Sequence, residues 1–247
     1  MSGNDACRVI GKPHAGGIAI IADHASNRVP PDIDLGIAPA LLDAHIAIDI
    51  GVAAVAEAMV AADPHFYALL GNVSRLVCDF NREADSPGVV PIESDGYAIP
   101  GNRLAPAGIA ARLTRFYHPY HAVIERTLAR HPPALILSLH SFTPRLASRD
   151  EPRPWQIGVL YNADERVARR AIPLFEAEGL PDSPLNVGDQ QPYSGKLLNA
   201  SMDRHAEAHG RYNLGVEVRQ DEIDHPAGQA VWAERLVRAC RTIAAGT

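Results

Sequence analysis

Cysteine is scarce in this 247-residue chain: Cys7, Cys78 and Cys240 form neither a CxxC pair nor an even set, which excludes a disulfide framework and fits a reducing compartment. Blocks of like charge are missing too. The 23 Lys and Arg residues and 29 Asp and Glu residues leave a net charge of −6 spread along the sequence, so the basic footprint of a nucleic-acid binder is absent. Arginine greatly outnumbers lysine, yet the arginines lie along amphipathic stretches and read mostly as solvated helix faces. No apolar window reaches transmembrane length, and no basic segment followed by an apolar core opens the chain. The expectation is a soluble cytoplasmic protein without membrane or nucleic-acid partners. Internal repeats and low-complexity tracts are also lacking.

What is present is length and pattern. A chain of this size can bury roughly 70–75% of its unfolded surface in one large domain. Residues 1–247 read as a single unit with 1–15 as an N-terminal extension. Val-, Ile- and Leu-rich runs predict strands at 17–22, 65–70, 75–80, 134–139, 156–161 and 214–218. Periodic stretches predict helices at 38–62, 103–130 with an interruption at Pro119, 164–178 after an Asn162 cap, 199–209 and 229–245. Such alternation predicts an α/β fold with a central mixed, mainly parallel sheet covered on both faces. Two segments dense in Pro, Gly, Ser and Asp, 83–102 and 181–196, read as functional loops.

Three apolar runs deliver chemistry. The apolar run in GIAIIADHASN leads to His24, that in ALILSLHSF to His140, and LGVEVR holds Glu217 between valines. In open α/β sheets ligands bind beyond the carboxyl ends of the strands, so these side chains point to one shared site. Both histidines precede small polar residues that leave room for an ion, and catalytic zinc commonly takes three protein ligands from His, Asp and Glu. The spacing from His24 to Asn27 is that of a His-x-x-Glu motif with the carboxylate replaced by an amide. Asp49, in an apolar stretch where a free carboxylate is costly, is therefore a candidate third ligand, or else a helix carboxylate paired with an arginine. Glu217 fits a general base, or else a strand residue paired with Arg219. Arg75, Asp79, Asn81 and Arg82 form a further group in which arginines can bind a substrate carboxylate or an oxyanion, or else close strand-end salt bridges.

Taken in order, Asp23-His24-Ala-Ser-Asn27-Arg28-Val-Pro30, Ser74-Arg75 with Asp79-Phe-Asn81-Arg82, Pro119-Tyr120-His121, Ser138-Leu-His140-Ser141-Phe-Thr-Pro144 and Gly215-Val-Glu217-Val-Arg-Gln-Asp221 resemble the N-formylglutamate amidohydrolase family. That family is similar in turn to zinc carboxypeptidases and aspartoacylases, which implies a three-layer α/β/α fold. The resemblance implies zinc held by His24 and His140, Glu217 as general acid/base, Arg75 polarising the carbonyl, and Asn81 with Arg82 gripping a substrate carboxylate. Tyr193 and His205 resemble family residues that contact substrate, and His121 reads as a packing or orienting residue. Asn27 departs from the wider pattern and leaves the third ligand open between Asp49 and Asn27.

The expected activity is metal-dependent hydrolysis of an amide in a small N-acylated carboxylate such as N-formyl-L-glutamate. The alternatives are another N-acyl amino acid amidase or small-peptide carboxypeptidase with the same machinery, and a non-catalytic metabolite-binding protein. Oligomeric state is not legible in the sequence.

Overall fold

Strand and helix form where apolar period and backbone freedom agree. A computed structural model describes residues 5–149, 151–179, 184–197 and 199–246. In chain order its elements are β1 (Cys7–Ile10), β2 (Ile18–Ala22), α1 (Val52–Ala62), β3 (Phe66–Gly71), β4 (Glu93–Ser94), β5 (Tyr97–Ala98), α2 (Pro106–Arg112), α3 (His118–Arg130), β6 (Leu135–Phe142), β7 (Ile157–Leu160), α4 (Ala168–Glu176), β8 (Val187–Asp189), α5 (Ala200–His205), β9 (Asn213–Arg219) and α6 (Pro226–Ala244).

The main sheet runs β1-β3-β2-β6-β9-β7-β8, and β4 with β5 makes a separate hairpin. Neighbours among β3, β2, β6 and β9 are parallel, β1 is antiparallel to β3, and β7 is antiparallel to β9 but parallel to β8. The fold is therefore α/β with a mixed, mostly parallel sheet. Alternation along the strands divides the core. Ile18, Ile20, Phe66, Ala68, Leu135 and Leu137 pack on one face with residues of α1, α4 and α6. Ala19, Ile21, Tyr67, Leu69 and Ile136 pack on the other with Tyr120, Ile124 and Leu128 of α3. Because both faces are covered, the central strands are apolar throughout, as buried parallel strands require. From β2 the chain first builds outward to β3 and later returns to β6 on β2's other side, so β2 and β6 flank the point where strand order reverses.

Several local expectations differ from the structure. Residues 75–80 are not a strand but a turn and loop, mostly buried, whose polar backbone is satisfied by side chains and by other backbone groups. Arg112 Nη1 donates to Val77 O at 2.9 Å, Asn102 Nδ2 to Leu76 O at 2.7 Å, and the Asp79 amide to Val89 O at 2.8 Å. The expected helix 38–62 splits into a 3₁₀ turn (Pro39–Asp43), irregular backbone, and α1. Gly51 makes the break: its φ is +81°, and a Cβ there would lie 2.1 Å from Ile223 O. The stretch 1–15 includes β1, an edge strand of the main sheet. Asn162 caps no helix, since α4 begins at Ala168 and the Asn162 amide donates to Asp203. The loop 181–196 contains β8, and its residues 181–183 lie outside the described residues. Around Pro119 a π-helical turn (Leu113–Tyr117) leads from α2 into α3. No helix among the described residues is long and apolar enough to cross a membrane.

Candidate metal centre

His24 lies two residues beyond β2, and His140 lies in β6, the neighbouring strand. Asp49 arrives from the irregular backbone before α1, where its amide donates to His24 O at 3.0 Å. All three side chains are buried, and each offers a ligand atom within 4.8 Å of the others. Asp49 Oδ2 is 2.8 Å from His140 Nδ1 and 3.3 Å from His24 Nδ1. Its Oδ1 accepts from Arg75 Nη1 at 3.2 Å. Asp49 thus combines both roles open to it, a place in the metal-competent cluster and an arginine pair. Asn27 does not join: its amide donates to Asp43 Oδ1 at 2.8 Å.

The far nitrogen of each histidine meets another carboxylate. Asp79 Oδ1 is 2.8 Å from His24 Nε2, and Asp23 Oδ2 is 3.5 Å from His140 Nε2. Asp23, fully buried, is itself oriented by Tyr120 Oη at 2.7 Å and Ser201 Oγ at 2.8 Å. Gly71 permits this approach, since a Cβ there would stand 2.1 Å from Asp23 O. A carboxylate behind each imidazole is the arrangement that orients histidine ligands toward a metal.

Electrostatics follow from this crowding. Burial alone would raise the carboxyls of Asp23, Asp49 and Asp79, but the histidines, with Arg75 beside Asp79, hold all three below the usual carboxylate range. Burial alone would lower both histidines, yet the carboxylates raise His24 and raise His140 strongly. Glu217 behaves differently. It pairs in register with His140 across β6 and β9, and burial pushes its carboxyl up to about 7. Its Oε2 is covered and has no hydrogen-bond partner among the described residues.

A cavity of about 420 Å³ opens over this group, lined by His24, Asp49, His140, Glu217, Arg75, Asn81, Arg82 and Tyr193 among others. Arg75 bridges Asp49 and Asp79, the latter at 3.0 Å, and Arg82 Nε stands 3.9 Å from Asp79. At the rim, Asp95 of the β4–β5 hairpin accepts from the amides of Ala147 (2.8 Å) and Ser148 (3.0 Å) and meets His45 at 2.9 Å. Burial opposes its ionisation, but hydrogen bonds from Ser148 and Ala147 bring its carboxyl to about 2. His205 does not line the cavity. It is buried 2.8 Å from His121 Nδ1, and His121 Nε2 lies 3.1 Å from Phe80 O, so the pair joins α3 to α5.

The donor set fits a divalent cation. Two imidazole nitrogens and a carboxylate oxygen converge, Asp79 bonds the opposite nitrogen of His24, Asp23 stands at ion-pair distance from that of His140, and among the described residues Asp49 and Asp79 pair with Arg75 and Arg82 as permanent cations. Sequence reasoning assigned no role to Asp23, although its place directly before His24 at a strand end is a visible signal. Arg153, which also lines the cavity, sits between two prolines in a segment without periodic pattern and gave no signal.

The family described as N-formylglutamate amidohydrolase matches residues 17–223. The crystal structure of a gene product from Agrobacterium tumefaciens superposes with a TM-score of 0.89 at 29% identity, covering 99% of this chain and 96% of that one. An N-formylglutamate amidohydrolase from Ralstonia eutropha shares the fold with a TM-score of 0.75 at 20% identity, covering 97% of both chains. No curated protein matches the sequence.

Proposed function

Because the chain belongs to the N-formylglutamate amidohydrolase family, we propose that its cavity binds a small N-acylated amino acid, N-formyl-L-glutamate or a near relative, and cleaves the amide with the help of zinc. The observation that carries this reading is the partnerless, buried Oε2 of Glu217, held in register beside His140 at the mouth of the His24–Asp49–His140 cluster. A structural carboxylate in that position would have a partner; a proton-transferring one needs an open face.

His24, His140 and Asp49 hold the cation, with Asp79 and Asp23 fixing the imidazoles. When bound, the cation supplies Lewis-acid polarisation of the substrate carbonyl and acidifies water. Glu217, poised near neutrality, takes the proton of the attacking water at its free oxygen and returns it to the departing amine. Arg75 spends one N–H of each Nη on Asp49 and Asp79, and its remaining N–H groups stabilise the developing oxyanion. Asn81 and Arg82 hold the substrate α-carboxylate, with Tyr193 closing the wall. Three buried, unpaired cysteines support a cytoplasmic setting.

The test is purified protein, loaded with zinc and assayed for formate release from N-formyl-L-glutamate. Turnover that is lost on chelation and restored by zinc is the expected result. Tight binding of the substrate without any formate release would make this a metabolite-binding protein instead.

A further inference from the structure

The cavity contains one more buried cation, on the connection from β6 to β7. Arg153 is 8% exposed. Its Nη1 donates to Thr143 O at 3.3 Å and to Tyr193 Oη at 3.0 Å, and its guanidinium lies 4.9 Å from the centre of the Tyr193 ring. Among the described residues it has no carboxylate within ion-pair distance, and its Nε and Nη2 have no hydrogen-bond partner.

A guanidinium cannot shed its proton to escape burial, and a phenol and a carbonyl oxygen do not neutralise it. The two occupied contacts use only Nη1. The Nε–Nη2 edge is left free, and this pair of parallel N–H groups matches the two oxygens of a carboxylate. Arg75 and Arg82, by contrast, are already near Asp79, and Arg149 is exposed to solvent, so among the described residues Arg153 is the buried cation of this cavity with most to gain from an anionic ligand.

We propose that Arg153, braced by Tyr193, receives a second substrate carboxylate and makes the site selective for N-acylated dicarboxylic amino acids. This rests on the amidohydrolase reading and adds the division of labour: the α-carboxylate belongs to Asn81 and Arg82, the side-chain carboxylate to Arg153.

The zinc-loaded protein and its Arg153→Gln and Arg153→Lys variants are assayed on N-formyl-L-glutamate and on the uncharged N-formyl-L-glutamine. Losing a charge-assisted fork lowers kcat/KM for the glutamate substrate about 10- to 100-fold in Arg153→Gln, with the glutamine substrate changed less than about threefold, and Arg153→Lys recovers part of the preference. An equal fall on both substrates, or no fall on either, overturns the proposal. Calorimetric binding of the same two compounds to Glu217→Gln protein separates this from the failure of the amidohydrolase reading. Binding that prefers the glutamate compound through Arg153, without turnover by the wild type, sinks only the hydrolytic reading. Binding without that preference, or no binding, sinks the role of Arg153.

Discussion

Two pairs of buried histidines in this molecule have ring centroids 5.1 Å apart, His24 with His140 and His121 with His205, and they respond to burial in opposite ways. In the first pair every imidazole faces carboxylates on both sides, and the rings are held more basic than usual. In the second, burial is the largest influence, neighbouring charges such as Arg204 add to it, and the rings fall to about 3 and about 4. The residue type and its burial are the same. The difference lies in who else is buried, and a cluster that gathers carboxylates around imidazoles has the composition of a cation site.

The contrast can be broken most severely at the carboxylate that belongs to neither pair. Glu217→Gln is expected to lower kcat by about 10²- to 10⁴-fold while zinc content stays at the wild-type level, read by turnover and metal analysis on the same preparation. Near-wild-type rates in that variant would remove Glu217 from the mechanism. Next come the outer carboxylates. Asp79→Asn and Asp23→Asn should each weaken zinc binding by about 10- to 100-fold in competition with a chelator, whereas His205→Gln should leave metal affinity unchanged. Equal effects at all three positions would erase the distinction between the pairs.

A subtler effect is expected in acid. His121 and His205 have folded pKa values below the ordinary 6.5, so the native state keeps them neutral while the unfolded chain protonates them. Their contribution to stability is complete above about 6.5 and is lost as pH falls through that value toward 4. Denaturant titrations of wild type and His205→Gln should show a shallower acid limb in the variant. The smallest change is expected at the rim. Asp95→Ala releases the 143–149 connection from the β4–β5 hairpin, and KM should rise about two- to fivefold with kcat little altered.

Much of the fold was legible because buried parallel strands need continuous apolar runs, and 17–22, 134–139 and 214–218 lie within or beside β2, β6 and β9. The run 75–80 misled for the same reason. Leu76, Val77, Cys78 and Phe80 are as buried as any strand, but the carbonyls of Leu76 and Val77 are satisfied by Asn102 and Arg112, residues far away in sequence. His24, His140 and Glu217 were visible because each interrupts or ends an apolar run. Asp49 was visible as the candidate third ligand because a carboxylate in an apolar stretch needs a partner, but the irregular backbone before α1 that carries it beside His24 was not. His205 reads as a substrate contact only through the family resemblance; its partner His121 comes from another helix, and only packing reveals the pair.

The order of apolar runs and the polar residues that punctuate them, which are local properties, settled by themselves that this chain builds an α/β sheet with histidines and a carboxylate near its strand ends. Which carboxylates stand behind those histidines, and that the buried Arg153 has none among the described residues, was decided by tertiary structure. Those pairings join residues such as His140 and Asp23 through side-chain geometry across strands and loops, and charge in a buried site takes its meaning from neighbours that the linear order does not display.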